Sequence, residues 1–211
     1  MTRLLRKAPV SLALAVGLAL LLQSAALAAI VPVSIVDNAF NPATVKPKQG
    51  DSVQWTNTGN NNHTTTSNGC TGTGTQGVGL WCSPVLSDNQ QFSQVFNVSA
   101  KYPYFCTIHP SMTGTVQVNM KAQPKNGGLG TQFNIIWAKT NIPAGFNADI
   151  QIKRPGSTQF VNWMIDRTGT QVSAMFTPDA GTGVYQFKSR LQNSATAGAS
   201  SFSKAVSITV S

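Results

Sequence analysis

From residue 30 onward, apolar and polar positions alternate with a period of two, and no stretch repeats its apolar residues at the three-to-four spacing of an amphipathic helix. In the first half, the runs VPVSIV, ATVKP, SVQWTN, HTTTS, FSQVFNV, YPYF and GTVQV read as strands. They are separated by turn chemistry such as QGD and NTGN. A second set follows: QFNIIWAK, ADIQIKR, FVNWMI, TQVSAMF, GVYQFKSRLQN and KAVSITV. Between the sets lies NMKAQPKNGGLGT, which is polar, rich in Gly, Lys and Asn, and without apolar rhythm. The pattern predicts an all-β chain of two sandwiches, at residues 30–119 and 132–211, with residues 120–131 as a linker.

The first residues break this pattern. Arg3, Arg6 and Lys7 precede the apolar run VSLALAVGLALLL, and small residues follow it up to Ala26, Leu27 and Ala28. This is the layout of a secretory signal peptide over residues 1–29, with cleavage near Ala28 or Ala29. A retained membrane anchor is the rival, but the run is short and no stop-transfer charges follow it. The expected compartment is therefore the periplasm or the medium, with no later membrane span.

The full chain has fifteen Lys and Arg against six acids, all Asp. Without Arg3, Arg6 and Lys7 the balance is twelve against six, or +6. Since charged residues make up only 10%, the surface must rest on Ser, Thr, Asn, Gln and Gly, which suits an exported β protein. The basic residues are scattered rather than clustered among aromatics, which argues against a nucleic-acid partner.

Three cysteines in an exported chain leave one over. Cys70 and Cys82 bracket the loop TGTGTQGVGLW and are the expected disulfide. Two free thiols, or a pairing with Cys106, are the alternatives. Cys106 ends the aromatic strand YPYF, with His109 three residues on and Met112 three beyond that. A strand end followed by a tight turn lets such residues converge on one ion. A thiolate, imidazoles and a weak thioether form the trigonal-plus-axial donor set of mononuclear copper, whereas zinc would replace the methionine with a stronger donor. The remaining imidazole must come from His63, the only other histidine in the chain.

With FNPATVKPKQGDSVQWTN, His63 and FSQVFNVSAKYPYFCTIHPSMTGTVQV together, residues 31–119 resemble the cupredoxins, the blue copper proteins, in their amicyanin and plastocyanin-like branch. The resemblance implies His63, Cys106 and His109 as equatorial ligands and Met112 as the axial one. Two departures stand out. Thr64 takes the place of an Asn common after the first histidine, whose backbone donates a hydrogen bond toward the Cys sulfur, which puts that bond in question, and the loop between Cys70 and Cys82 is long. The second half resembles an immunoglobulin or fibronectin type III-like sandwich through Trp137 and Tyr185. Trp137, Trp163, Tyr185 and Phe187 are expected in its core.

The function this implies is single-electron transfer between protein redox partners through one type 1 copper site, without enzymatic activity of its own. The alternative is an extracytoplasmic copper carrier or buffer, or an adhesive or scaffold module. In either case the second sandwich is the candidate docking unit for a protein or surface partner.

Overall fold

The structure, a computed structural model, describes residues 27–70 and 77–211. The leader read at residues 1–29 lies outside the described residues up to residue 26, as do residues 71–76 of the loop between Cys70 and Cys82. The described chain is all-β, in four sheets and without helices.

In the first half, β1 (Ile30–Val36), β2 (Ala39–Asn41), β4 (Ser52–Asn57) and β6 (Gln91–Val95) form one sheet in the order β2-β1-β4-β6. The other sheet contains β3 (Thr44–Val45), β5 (Thr66–Ser67), β7 (Lys101–Phe105) and β8 (Thr113–Gln117), in the order β3-β8-β7-β5. Alternation sends Val33, Ile35, Val53 and Trp55 inward from the first sheet, and Tyr102, Tyr104 and Val116 from the second. The two faces meet in an aromatic layer. Trp55 packs edge-on against Tyr104 at 5.4 Å between centroids, and Phe40 lies 4.7 Å from the same ring. Burial pushes the Tyr104 phenol up to about 12 and moves Tyr102 further in the same direction.

The second half holds β9 (Lys121–Gln123), β11 (Phe133–Ile136) and β14 (Ser173–Phe176) in the order β14-β11-β9. Facing it are β10 (Asn126–Gly127), β12 (Phe146–Lys153), β13 (Val161–Arg167), β15 (Gly183–Asn193) and β16 (Val206–Val210), in the order β10-β16-β15-β12-β13. Trp163 packs edge-on against Phe176 across these sheets, and Trp137, Tyr185 and Phe187 are buried around them.

The segment read as a linker is more structured than its composition implies, because it carries β9 and β10. Met120 and Ala122 are its inward apolar residues, Ala122 pairing with Ile135, while β10 runs parallel to β16. Strands of three and two residues are too short to show an alternating pattern. HTTTS departs the other way. Only Thr66 and Ser67 of that run form a strand, and His63 instead exchanges backbone hydrogen bonds with Leu86 at 3.0 and 2.7 Å.

A buried polar seam joins the halves. Gln49, 2% exposed, donates its amide to Ser99 Oγ at 2.7 Å and to the Ile136 carbonyl at 3.1 Å. Ser99 N–H donates to the Trp137 carbonyl at 2.7 Å, and the Ser189 hydroxyl donates to the Ser99 carbonyl at 2.5 Å. The same seam braces β7. Short β5 covers that strand only at Phe105 and Tyr104, and Ser201 takes the open edge at Lys101 through reciprocal backbone bonds of 3.0 Å. The strand that leads into Cys106 is thus anchored at its base by the second half.

Gln49→Leu would leave the Ser99 hydroxyl and the Ile136 carbonyl buried without this partner. We expect it to lower the unfolding free energy by about 1–3 kcal/mol, read as a lower urea midpoint. An unchanged midpoint would remove the seam from the account.

Candidate metal centre

Period two carries Tyr102 and Tyr104 inward along β7, and the next residue in phase is Cys106, with 0% exposure. The chain then turns back at once. Met112 N–H donates to the His109 carbonyl at 2.9 Å, and Cys106 N–H donates to the Met112 carbonyl at 3.1 Å, so residues 106–112 close a tight loop before β8. Gly114 follows because a Cβ there would sit 2.3 Å from the Tyr104 ring. This loop leaves His109 partly exposed and buries Met112 at 2% exposure.

His63 arrives from a different direction, on the crossover from β4 in one sheet to β5 in the other. Asn57 sets that path. It falls on the inward face of β4 after Val53 and Trp55, where an apolar residue would be expected, and is 0% exposed. Its amide donates to the carbonyls of Asn61 at 2.7 Å and Leu86 at 2.9 Å, while its Oδ1 accepts the Gly59 N–H. Sequence reading passed over Asn57, although a polar residue at an inward position of SVQWTN was the available signal.

The two paths bring His63, Cys106 and His109 into one cluster. Cys106 Sγ lies 3.8 Å from Nδ1 of each histidine, and the two Nδ1 atoms are 3.2 Å apart. Donors held about 2.0–2.3 Å from a shared ion stand roughly 3.3–4 Å from one another, so the triangle matches a metal's dimensions. A sulfur and two imidazole nitrogens make a soft-to-intermediate donor set, which fits copper better than the hard cations that seek oxygen.

Thr64 resolves the question raised by its replacement of Asn. Its backbone N–H does point to Cys106 Sγ, at 3.3 Å, so this bond does not depend on the side chain. The hydroxyl binds the two loops together instead, accepting the Thr107 N–H at 2.8 Å and lying 2.9 Å from Thr107 Oγ1. The long loop is closed by the Cys70–Cys82 disulfide, leaving Cys106 as the free thiol.

The His63 ring is 0% exposed, and burial holds its pKa below the ordinary 6.5, against the opposing pull of Asp37. Asp37 itself, capping the Asn61 N–H and lying beside His63, is held below the usual carboxylate value.

The sequence pattern of the copper binding proteins, plastocyanin/azurin family, matches residues 30–119. Amicyanin-alpha of Methylorubrum extorquens is 36% identical over 86 residues, covering 41% of this chain and 69% of that protein. Among solved structures, a purple cupredoxin from Nitrosopumilus maritimus is 26% identical over 42% of this chain and 99% of its own, with a TM-score of 0.37. A reduced amicyanin variant is 27% identical over 43% and 82%, also with a TM-score of 0.37.

Two outcomes follow for the metal-free protein. Thr64→Val keeps the backbone bond to sulfur but strands the Thr107 N–H, and should cost about 1–3 kcal/mol in denaturant unfolding. Stability should also fall as the pH drops below about 6.5, because the unfolded chain takes up a proton that folded His63 refuses. Above the carboxylate range that slope should vanish in His63→Gln, whereas the loss at lower pH, where Asp37, Asp51 and Asp179 take up protons, should remain.

Proposed function

Because the chain belongs to the plastocyanin/azurin family of copper binding proteins, we propose that it holds one copper ion and passes single electrons between protein partners. His63, Cys106 and His109 are the main ligands, and the Met112 thioether is a weaker fourth. The observation that carries this reading is the convergence of a buried cysteine sulfur with two imidazole Nδ1 atoms inside one 3.2–3.8 Å triangle. Copper so held supplies a one-electron couple.

The protein's own part is to hold the donors still. Cys106 is fixed by β7 and by the Thr64 N–H, His63 by its exchange with Leu86, and His109 by the loop that Met112 closes. Of the two imidazoles, His63 is buried and His109 is partly exposed, so the electron passes through His109. Ile108, 44% exposed, and exposed Pro110 and Ser111 surround that exit. Both histidines of the chain are used in this one group, which leaves no imidazole to build a second copper centre for catalysis.

The copper unit spans residues 30–119, and residues 132–211 form an immunoglobulin or fibronectin type III-like unit. Residues 120–131 join the two and lend β9 and β10 to the second. Support for that second assignment comes from Tyr185, at the start of β15. Its hydroxyl donates to the Gly181 carbonyl at 2.8 Å and accepts the Ala180 N–H, the corner expected of such sandwiches. Residues 1–29 act as a leader cleaved near Ala28 or Ala29, delivering the protein to the periplasm or the medium. No helix among the described residues is long and apolar enough to cross a membrane, and the Cys70–Cys82 disulfide suits an oxidising compartment.

Added Cu(II) should bind at one equivalent and produce an intense absorption band toward the red. Cys106→Ser should abolish the band. A colourless protein that holds only Cu(I) and yields it to a chelator would favour the carrier reading. Sustained oxidase or nitrite reductase turnover by the pure protein would overturn the non-enzymatic one.

A further inference from the structure

The buried His63 ring has two nitrogens with different surroundings. Nδ1 faces Cys106 and His109, while Nε2 points away and makes no hydrogen bond among the described residues. Opposite Nε2 stands a carboxylate, Asp37 Oδ1, at 3.7 Å. Asp37 begins the tight turn between β1 and β2, where Asn38 takes a positive φ of 71°. The carboxylate is seated by the segment that leads into His63. Oδ1 accepts the Asn61 N–H at 3.1 Å, and a Cβ at Gly59 would come within 2.4 Å of it.

A neutral imidazole carries one proton, and the partner of one nitrogen decides which form the other takes. A carboxylate beside Nε2 draws the proton there and leaves the Nδ1 lone pair facing Cys106. The gap exceeds a hydrogen bond of about 2.7–3.2 Å, but the Asp37 side chain is 36% exposed, so solvent reaches it and a water can bridge the two groups.

We infer that Asp37 is a positioning residue for the metal centre: it receives the Nε2–H of His63, fixing the ring's tautomer and orientation and placing a negative charge behind that ligand. The inference rests on the reading of His63 as a copper ligand. It adds a carboxylate that the four ligand positions in the sequence do not reveal. A carboxylate behind a ligating imidazole makes the ring a stronger donor. Its charge also favours Cu(II) over Cu(I), so Asp37 holds the reduction potential down.

Two substitutions separate charge from architecture. Asp37→Asn keeps an acceptor for the Asn61 N–H and removes the charge, whereas Asp37→Ala removes both. Asp179→Asn, in the second half, controls for net charge. In the metal-free protein, long-range proton–nitrogen NMR should show His63 protonated at Nε2, and this preference should weaken in Asp37→Ala. With copper added, Asp37→Asn should bind Cu(II) roughly 10–100-fold more weakly against a competing chelator. Its reduction potential should shift positive, while Asp179→Asn matches the wild type. A wild-type His63 protonated at Nδ1 would overturn the inference. So would unchanged affinity and potential in both Asp37 variants. Failure of the wild type to bind copper at all would instead overturn the functional reading, and the NMR result alone would then decide the role of Asp37.

Discussion

Everything at the metal-binding end depends on a buried sulfur. Cys106 lies at 0% exposure, and a thiolate there must recover by local donors what it loses in water. The Thr64 N–H is one such donor, and a cation held between sulfur and the two imidazoles would supply the rest. Neither is available unless the crossover carrying His63 and the loop carrying His109 are held against the same strand end. The fold's features at this end serve that requirement: Asn57 steers the crossover, the Thr64 hydroxyl ties it to Thr107, and the Met112 backbone closes the loop.

Rigidity below the site has the same origin. Trp55, Trp81, Phe96, Tyr102 and Tyr104 form a contiguous aromatic layer under Cys106, with neighbouring centroids 5.2–6.4 Å apart. Such a layer resists displacement because rings at this packing density have no vacant volume to move into. Further down, Ser201 and the Gln49–Ser99–Ser189 seam fix the base of β7 to the second half. A donor set held this firmly would change little with the oxidation state of a bound copper, as the proposed electron transfer requires. The second half is therefore part of the mechanical support of the centre as well as a candidate docking unit.

The candidate cluster was legible in the sequence because it depends on residue types at short spacing. Cys106, His109 and Met112 lie on one turn, and a chain with only two histidines leaves little choice for the fourth position. Most long strands were legible too, since alternation over five or more residues is hard to mistake. What escaped had weaker signals. β9 and β10 are too short for any period to appear, and β5 shrank because His63 and Thr64 turn toward Cys106 instead of continuing a ladder. Asp37 lies 26 residues before His63 in the sequence, yet its carboxylate is only 3.7 Å from that ring. Only the parallel pairing of β1 with β4 brings them together, and such a non-local register cannot be read from one sequence. The doubt placed on the Thr64 bond to sulfur is removed, because a backbone donor survives the change of side chain.

As proposed, His63, Cys106 and His109 hold copper in nearly the same arrangement in both oxidation states. Copper K-edge X-ray absorption on the loaded protein, oxidised and then reduced, tests it most directly. We expect one sulfur and two imidazole nitrogens at short range in both states, with distances that scarcely change. A copper without a short sulfur bond, or one that exchanges nitrogen ligands on reduction, would contradict it.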